Sequence, residues 1–141
     1  MSSRYNFIDH TADIALEVAA DSIEELFTAS AQGFKEAVVE AEPVITKEEF
    51  QLKLNSHSLE SLLVSFLNEL NFRLISKKKI FNNIDEIKIY RADFNFNLEC
   101  ILRENDVDEN KIKTEIKSVT YHQMEIKKEN GKYSTRIVFD I

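Results

Sequence analysis

The sequence predicts an α+β fold: a two-layer single domain, residues 1–141, with a largely antiparallel sheet of about six or seven strands and two main helices packed on one face. Three observations carry this prediction. Two stretches in the first half follow a helical period, while short runs alternate apolar and polar residues. The second half then holds almost nothing but such alternating runs. A length of 141 residues suits one domain, and a hydrophobic content of 43% supplies a core.

The elements follow in order. Ile14, Leu16 and Val18 alternate with Ala15, Glu17 and Ala19, which is the pattern of a half-buried strand. Asp21 and Ser22 end it. Ser22, with Glu25 three positions later, forms a capping-box pattern that opens a helix running to about Glu40. Ile23, Leu26, Phe27, Phe34 and Val38 form its apolar face. Gly33 inside this helix costs about 1 kcal/mol relative to Ala, so a close neighbour is expected there. Pro43 marks the turn out of it. Phe50, Leu52 and Leu54 give a second strand that ends near Asn55. From Ser58 to about Ile75, Leu59, Leu62, Leu63, Phe66, Leu67, Leu70 and Leu74 follow the spacing of a core-facing helix, with His57 in its capping region. Lys77, Lys78 and Lys79 suit the negative end of that helix.

Strands dominate from there on. Ile87 and Ile89 begin one, and Phe94, Phe96, Leu98, Cys100 and Leu102 form a long run of period two. Ile112, Thr114 and Ile116 predict another, followed by Met124 with Ile126 and by Tyr133, Thr135, Ile137 and Phe139. The Asn105–Asn110 stretch is an acidic, polar connection. Asn130–Gly131 is a strong hairpin signal.

Composition excludes several functions. Gly33 and Gly131 are the only two glycines, too few for any glycine-rich phosphate loop, so no nucleotide is expected to bind independently. The net charge of −7 argues against a broad nucleic-acid surface. Cys100 is the sole cysteine, which excludes an internal disulfide and a cysteine-based zinc cluster. It lies on an apolar strand face, where core burial is expected. Neither a signal-peptide run nor a bilayer-length apolar stretch is present, so a cytoplasmic protein without a membrane role is expected.

The densest cluster of chemical side chains is Asp9-His10-Thr11-Ala12-Asp13. Carboxylate oxygens suit a hard cation such as Ca²⁺ or Mg²⁺, and His10 could ligate, orient a carboxylate or carry a proton. The same run also reads as a turn held by local hydrogen bonds. At the other end, Asp140 and the carboxylate of Ile141 follow an apolar strand. Physically, this end could meet Asp13 and build one oxygen-rich cation site; a solvated, frayed end is the alternative. His122, beside Thr120 and Tyr121, offers proton transfer, a polar contact or a structural hydrogen bond. No nucleophile motif supports an enzymatic constellation.

These segments resemble the archease family. Asp9-His10-Thr11-Ala12-Asp13-Ile14, followed by Ser22-Ile23-Glu24-Glu25-Leu26-Phe27, is similar to its opening signature. Leu67-Asn68-Glu69-Leu70 in the long helix, Thr114-Glu115-Ile116-Lys117-Ser118-Val119-Thr120-Tyr121-His122 and the ending Val138-Phe139-Asp140-Ile141 follow in the family's order. The resemblance spans essentially the whole chain. It departs at Tyr133 and Ser134, where the family often has Trp, and near Asn110, where many members have His.

The resemblance implies a non-enzymatic activator of the RNA-splicing ligase RtcB, which joins RNA ends such as tRNA exon halves. It further implies that the activator promotes guanylylation of the ligase histidine and multiple turnover, can broaden nucleotide use, and meets tRNA only indirectly, through the ligase. By motif, the implied metal ligands are Asp13, Asp140 and Ile141. The implied cofactor is a divalent cation, Ca²⁺ foremost, with Mg²⁺ or Mn²⁺ as alternatives. Asp9, His10 and His122 are candidates for supporting or contacting roles. The competing function classes are a general chaperone or modulator of nucleic-acid-processing proteins and a metal-dependent phosphoesterase. Oligomeric state is not readable from the sequence.

Overall fold

The computed structural model describes residues 3–8, 13–40, 48–120 and 124–141. Asp9, His10 and His122 lie outside the described residues. Two helices, α1 (Ile23–Val38) and α2 (Leu59–Lys77), pack against antiparallel strands β1 (Ser3–Ile8), β2 (Asp13–Ala20), β3 (Glu48–Ser56), β4 (Lys79–Ala92), β5 (Asn95–Asp106), β6 (Ser118–Thr120), β7 (Lys127–Glu129) and β8 (Lys132–Asp140). The α+β class and the two main helices are as the sequence predicts. The strands, expected in one sheet of six or seven, instead number eight among the described residues and divide into two sheets. The larger runs β1-β2-β8-β6, with β7 also paired to β8, and the smaller runs β3-β5-β4.

Local signals explain where the helices begin and end. Ser22 caps α1, its Oγ accepting from the Glu25 amide at 3.1 Å, and Ser58 caps α2 by accepting from the Ser61 amide at 3.0 Å. At the end of α2, Lys78 takes the left-handed conformation (φ +54°) and its Nζ donates to the carbonyl of Ile75 at 2.7 Å, so part of the lysine run does serve the helix terminus. Lys79 already belongs to β4, where it pairs with Glu48 at 2.7 Å and with Asp106. Asn130 (φ +52°) and Gly131 (φ +77°) form the β7–β8 turn as expected.

Between the sheets and helices lies a core that includes Leu16, Phe27, Phe34, Phe66, Leu67, Leu98 and Phe139, all fully buried. Gly33 owes its place to β2: a Cβ there would stand 2.5 Å from Cδ2 of buried Leu16. Cys100 is buried, and desolvation pushes its thiol up to about 12 from 9.0, which removes it as a nucleophile. Arg73 on α2 and Glu104 on β5 form a bidentate pair, both contacts at 2.7 Å, with Glu104 only 2% exposed.

Two predicted strands differ from the structure: the one carrying Met124 and Ile126 is displaced to β7 (Lys127–Glu129), and the one at 112–117 is absent. Residues 112–117 have the alternation of a strand, yet only Ile112 bridges to Val39. The amide of Lys113 bonds the Val38 carbonyl at 2.8 Å, and the Ile116 carbonyl accepts from Asn71 Nδ2 at 2.7 Å. Ile116 is buried, so the alternation reports side-chain burial and not a ladder. No helix among the described residues is long and apolar enough to cross a membrane.

Candidate metal centre

β2 and β8 are central neighbours in the larger sheet, and their register decides which residues meet. Ile14, Leu16, Val18 and Ala20 pair with Phe139, Ile137, Thr135 and Tyr133. These buried or half-buried side chains set the core face. Since side chains alternate along a strand, Asp13 and its register partner Asp140 stand on the other face, at the end of the sheet. Directly opposed residues place their Cβ atoms about 4.5–5.5 Å apart. The first residue of β2 and the last of β8, separated by nearly the whole sequence, are therefore neighbours. Ile141 follows immediately and is 42% exposed.

A third strand closes the other side of Asp140. Ser118 is its register partner on β6, and the Lys117 amide donates to the Asp140 carbonyl at 2.8 Å. Two asparagines of α2 hold this strand in place. Asn68 Oδ1 accepts from the Val119 amide at 3.0 Å, while Asn71 Nδ2 donates to the Ile116 carbonyl at 2.7 Å. Asn71 is 8% exposed, among leucines. Sequence reasoning gave neither asparagine a role, although a polar residue recurring on the core-facing period of a long helix is a detectable signal.

Electrostatically, each carboxylate of the rung works against the other. Two unit charges about 5 Å apart repel by on the order of 1 kcal/mol in water, and like charges directly opposed on a sheet are destabilising. A divalent cation reverses that sign, and an all-oxygen donor set suits a hard one. Among the described residues there is no group of three or more His, Cys, Asp or Glu side chains arranged for a metal ion. From the described residues, a site here would draw on the two aspartates plus donors of another kind, such as main-chain or terminal oxygens.

Beside Asp13 is an open hollow of about 450 Å³ walled by Phe7, Ile8, Ile14, Glu36, Ala37 and Lys113. Phe7 is 47% exposed and meets Tyr5 edge-on, with ring centroids 6.1 Å apart. The Tyr5 phenol is held above its ordinary range, first by its hydrogen bond to Glu36 and then by burial and that carboxylate's charge. The hollow thus joins one exposed aromatic to carboxylates and one lysine. Among the described residues it contains no nucleophile–base pair.

Comparison with known proteins bears on the family and the fold. The sequence profile described as "Archease protein family (MTH1598/TM1083)" matches residues 5–141. The chain belongs to the archease family. The protein archease of Pyrococcus abyssi is 32% identical over 141 residues, 98% of this chain and 99% of that one. That of Methanosarcina mazei is 29% identical over 140 residues, 98% and 96% of the two chains. The solution structure of Methanobacterium thermoautotrophicum protein 1598 superposes with a TM-score of 0.78 at 27% identity, covering 97% of this chain and 98% of that one. A Thermotoga maritima crystal structure, described as an archease and possible chaperone, gives a TM-score of 0.62 at 27% identity, covering 95% and 94%. Archeases are non-catalytic protein cofactors.

Proposed function

We propose that this archease activates an RtcB-type RNA-splicing ligase, promoting guanylylation of the ligase histidine and multiple turnover, through a divalent-cation site formed by Asp13, Asp140 and Ile141. The observation that carries the reading is the register pairing of Asp13 with Asp140. It makes one rung of the residues that the family resemblance singles out from opposite ends of the chain. A Ca²⁺ ion, or Mg²⁺ or Mn²⁺ in its place, would neutralise the opposed carboxylates and rigidify the end of the sheet. The chain's own contribution is positional. β6, held by Asn68 and Asn71, keeps Asp140 in register, while Phe7 and the hollow beside Asp13 offer contact surface to the ligase. Nucleotide and RNA belong to the ligase in this scheme, in keeping with a chain that has only two glycines and no phosphate loop.

The test is a turnover assay with catalytic ligase, GTP, Mn²⁺ and excess tRNA halves. Adding this chain is expected to carry product beyond one equivalent of ligase, and Asp140→Asn to remove most of the gain while leaving the fold intact by circular dichroism. Terbium luminescence reads the cation site without the ligase: wild type should sensitise it and Asp140→Asn should not. Full stimulation by a folded Asp140→Asn protein would overturn the proposal.

A further inference from the structure

Both sheets end in an open edge near the first turns of α1. β1 is outermost in the larger sheet, and among the described residues its ladder partner is β2 alone. Alternate residues of such a strand turn N–H and C=O outward, the pattern that another strand completes. β4 is outermost in the smaller sheet. Its Ile89 amide donates to Oε2 of Glu24 on α1 at 3.3 Å, so the free side of β4 is turned toward that helix.

Between these edges lies a cleft of about 480 Å³, lined by Ser3 and Tyr5 of β1, Glu25, Thr28 and Ala29 of α1, and Ile87 of β4. Its size falls in the range of about 300–1,000 Å³ usual for ligand sites. Ile87 reaches it from a bulge: Glu86 and Ile87 together face Cys100, and Glu86 has φ +53°. One polar atom in the lining is unsatisfied. Oε2 of Glu25 is buried and has no hydrogen-bond partner. Buried acceptors without donors are uncommon in folded proteins, and a small rotation of the Glu25 side chain would bring this one to a donor seated in the cleft. Arg4 at the rim supplies one positive charge against the two of opposite sign on Glu24 and Glu25. Ser3 and Tyr5 pair with Ala20 and Val18, so the cleft lies toward the far end of β2 from Asp13.

We propose that this cleft receives an extended peptide segment of a protein partner, which adds to the free edge of β1 as a further strand and sets a Lys or Arg side chain against Glu25. The edge supplies main-chain hydrogen bonds, which a compact small molecule cannot match in sequence. Alternate side chains of the added strand fall on Ala29 and Ile87, in the manner of other strand-addition sites. The basic residue provides the donor that Oε2 lacks, and the chain's net charge of −7 favours a basic approach.

The experiment titrates ¹⁵N-labelled full-length protein with the probe peptide acetyl-Thr-Val-Lys-Val-Thr-Val-amide, and with the same peptide carrying Glu in place of Lys. Saturable amide shifts are expected in residues 3–8, in 23–32 and in 86–89, with the Glu peptide at least fivefold weaker. Gln32→Trp, an exposed position lining the cleft, should weaken the Lys peptide at least fivefold without altering the melting temperature. Glu25→Gln should narrow the difference between the peptides. The proposal fails if the Lys peptide gives no saturable shifts at millimolar concentration, if shifts centre on β3 or β6, if both peptides bind wild type equally, or if β1 pairs with a second copy of the chain in the absence of peptide.

Discussion

Arg73→Met is expected to destabilise the protein far more than loss of an ordinary surface ion pair. Arg73 donates from Nε and Nη2 to the two oxygens of Glu104 at 2.7 Å each, and its guanidinium lies 3.5 Å from the centre of the Phe50 ring. Its side chain is 13% exposed and that of Glu104 only 2%. The Arg73 pKa is raised first by this hydrogen bond, against an opposing effect of burial, as a charge stabilised by a specific partner should be. Exposed pairs contribute about 0.2–1 kcal/mol, whereas removing one member of a buried pair costs about 3–5 kcal/mol because the other is left uncompensated. The 2% exposure of Glu104 selects the second case. At roughly 3–4 °C per kcal/mol for a domain of this size, the melting temperature should fall by about 9–20 °C. Arg73→Met with Glu104→Met should recover most of the loss, since apolar replacement of both partners is often nearly neutral. Urea denaturation of the four proteins of this cycle measures the effect. A single-variant loss below 1 kcal/mol, or a double variant as unstable as Arg73→Met, would refute the reasoning.

Three further perturbations test other parts of the fold. Phe94 is 91% exposed at the β4–β5 turn, with φ +66° following Asp93 at +53°, so Phe94→Gly should stabilise by about 0.5–1 kcal/mol in urea melts by relieving left-handed backbone. Gly33→Ala should destabilise in a thermal melt despite the helix-propensity gain of about 1 kcal/mol, because its Cβ would stand 2.5 Å from Leu16 Cδ2 in a filled core, where overpacking costs about 1–3 kcal/mol. Cys100 titrates at about 12 when folded and near 9.0 as a free thiol, so unfolded chains ionise first and stability falls as pH rises through that interval. Between pH 9 and 11, wild type should lose about 2 kcal/mol more than Cys100→Ala, and native Cys100 should resist iodoacetamide until denaturant is added.

Both helices were legible because their signals are local: capping serines, leucines at helical spacing and a terminal lysine each act within a turn or two. β2 and β8 were legible because each buries one face. The split into two sheets was not, since alternation specifies a buried face and says nothing about which edge a strand joins. Residues 112–117 show the same gap, with Ile116 buried and its carbonyl bonded to Asn71. β1 was missed because it is short and its inward-facing Tyr5 and Phe7 remain half-buried or exposed. At the site, Asp13, Asp140 and Ile141 could be nominated from the chain, but the Asp13–Asp140 rung is a product of register. Asp9, His10 and His122 lie outside the described residues and gain no structural placement.

Helix α2 links stability to the candidate site in a way that separates two kinds of failure. One side of it is tied to β5 through Arg73 and Glu104, and another holds residues 116–119 through Asn68 and Asn71. Loss of the first contact removes global stability while leaving the geometry of the surviving native state intact. Loss of the second frees the strand that keeps Asp140 in register, at a cost of only about one or two hydrogen bonds, roughly 1–3 kcal/mol. Asn68→Ala should therefore weaken terbium binding and ligase stimulation more than its melting temperature implies, whereas Arg73→Lys should lower melting temperature with little effect on either below the transition. If both variants lost stimulation in proportion to stability, α2 would be a general strut and Asn68 would have no positioning role.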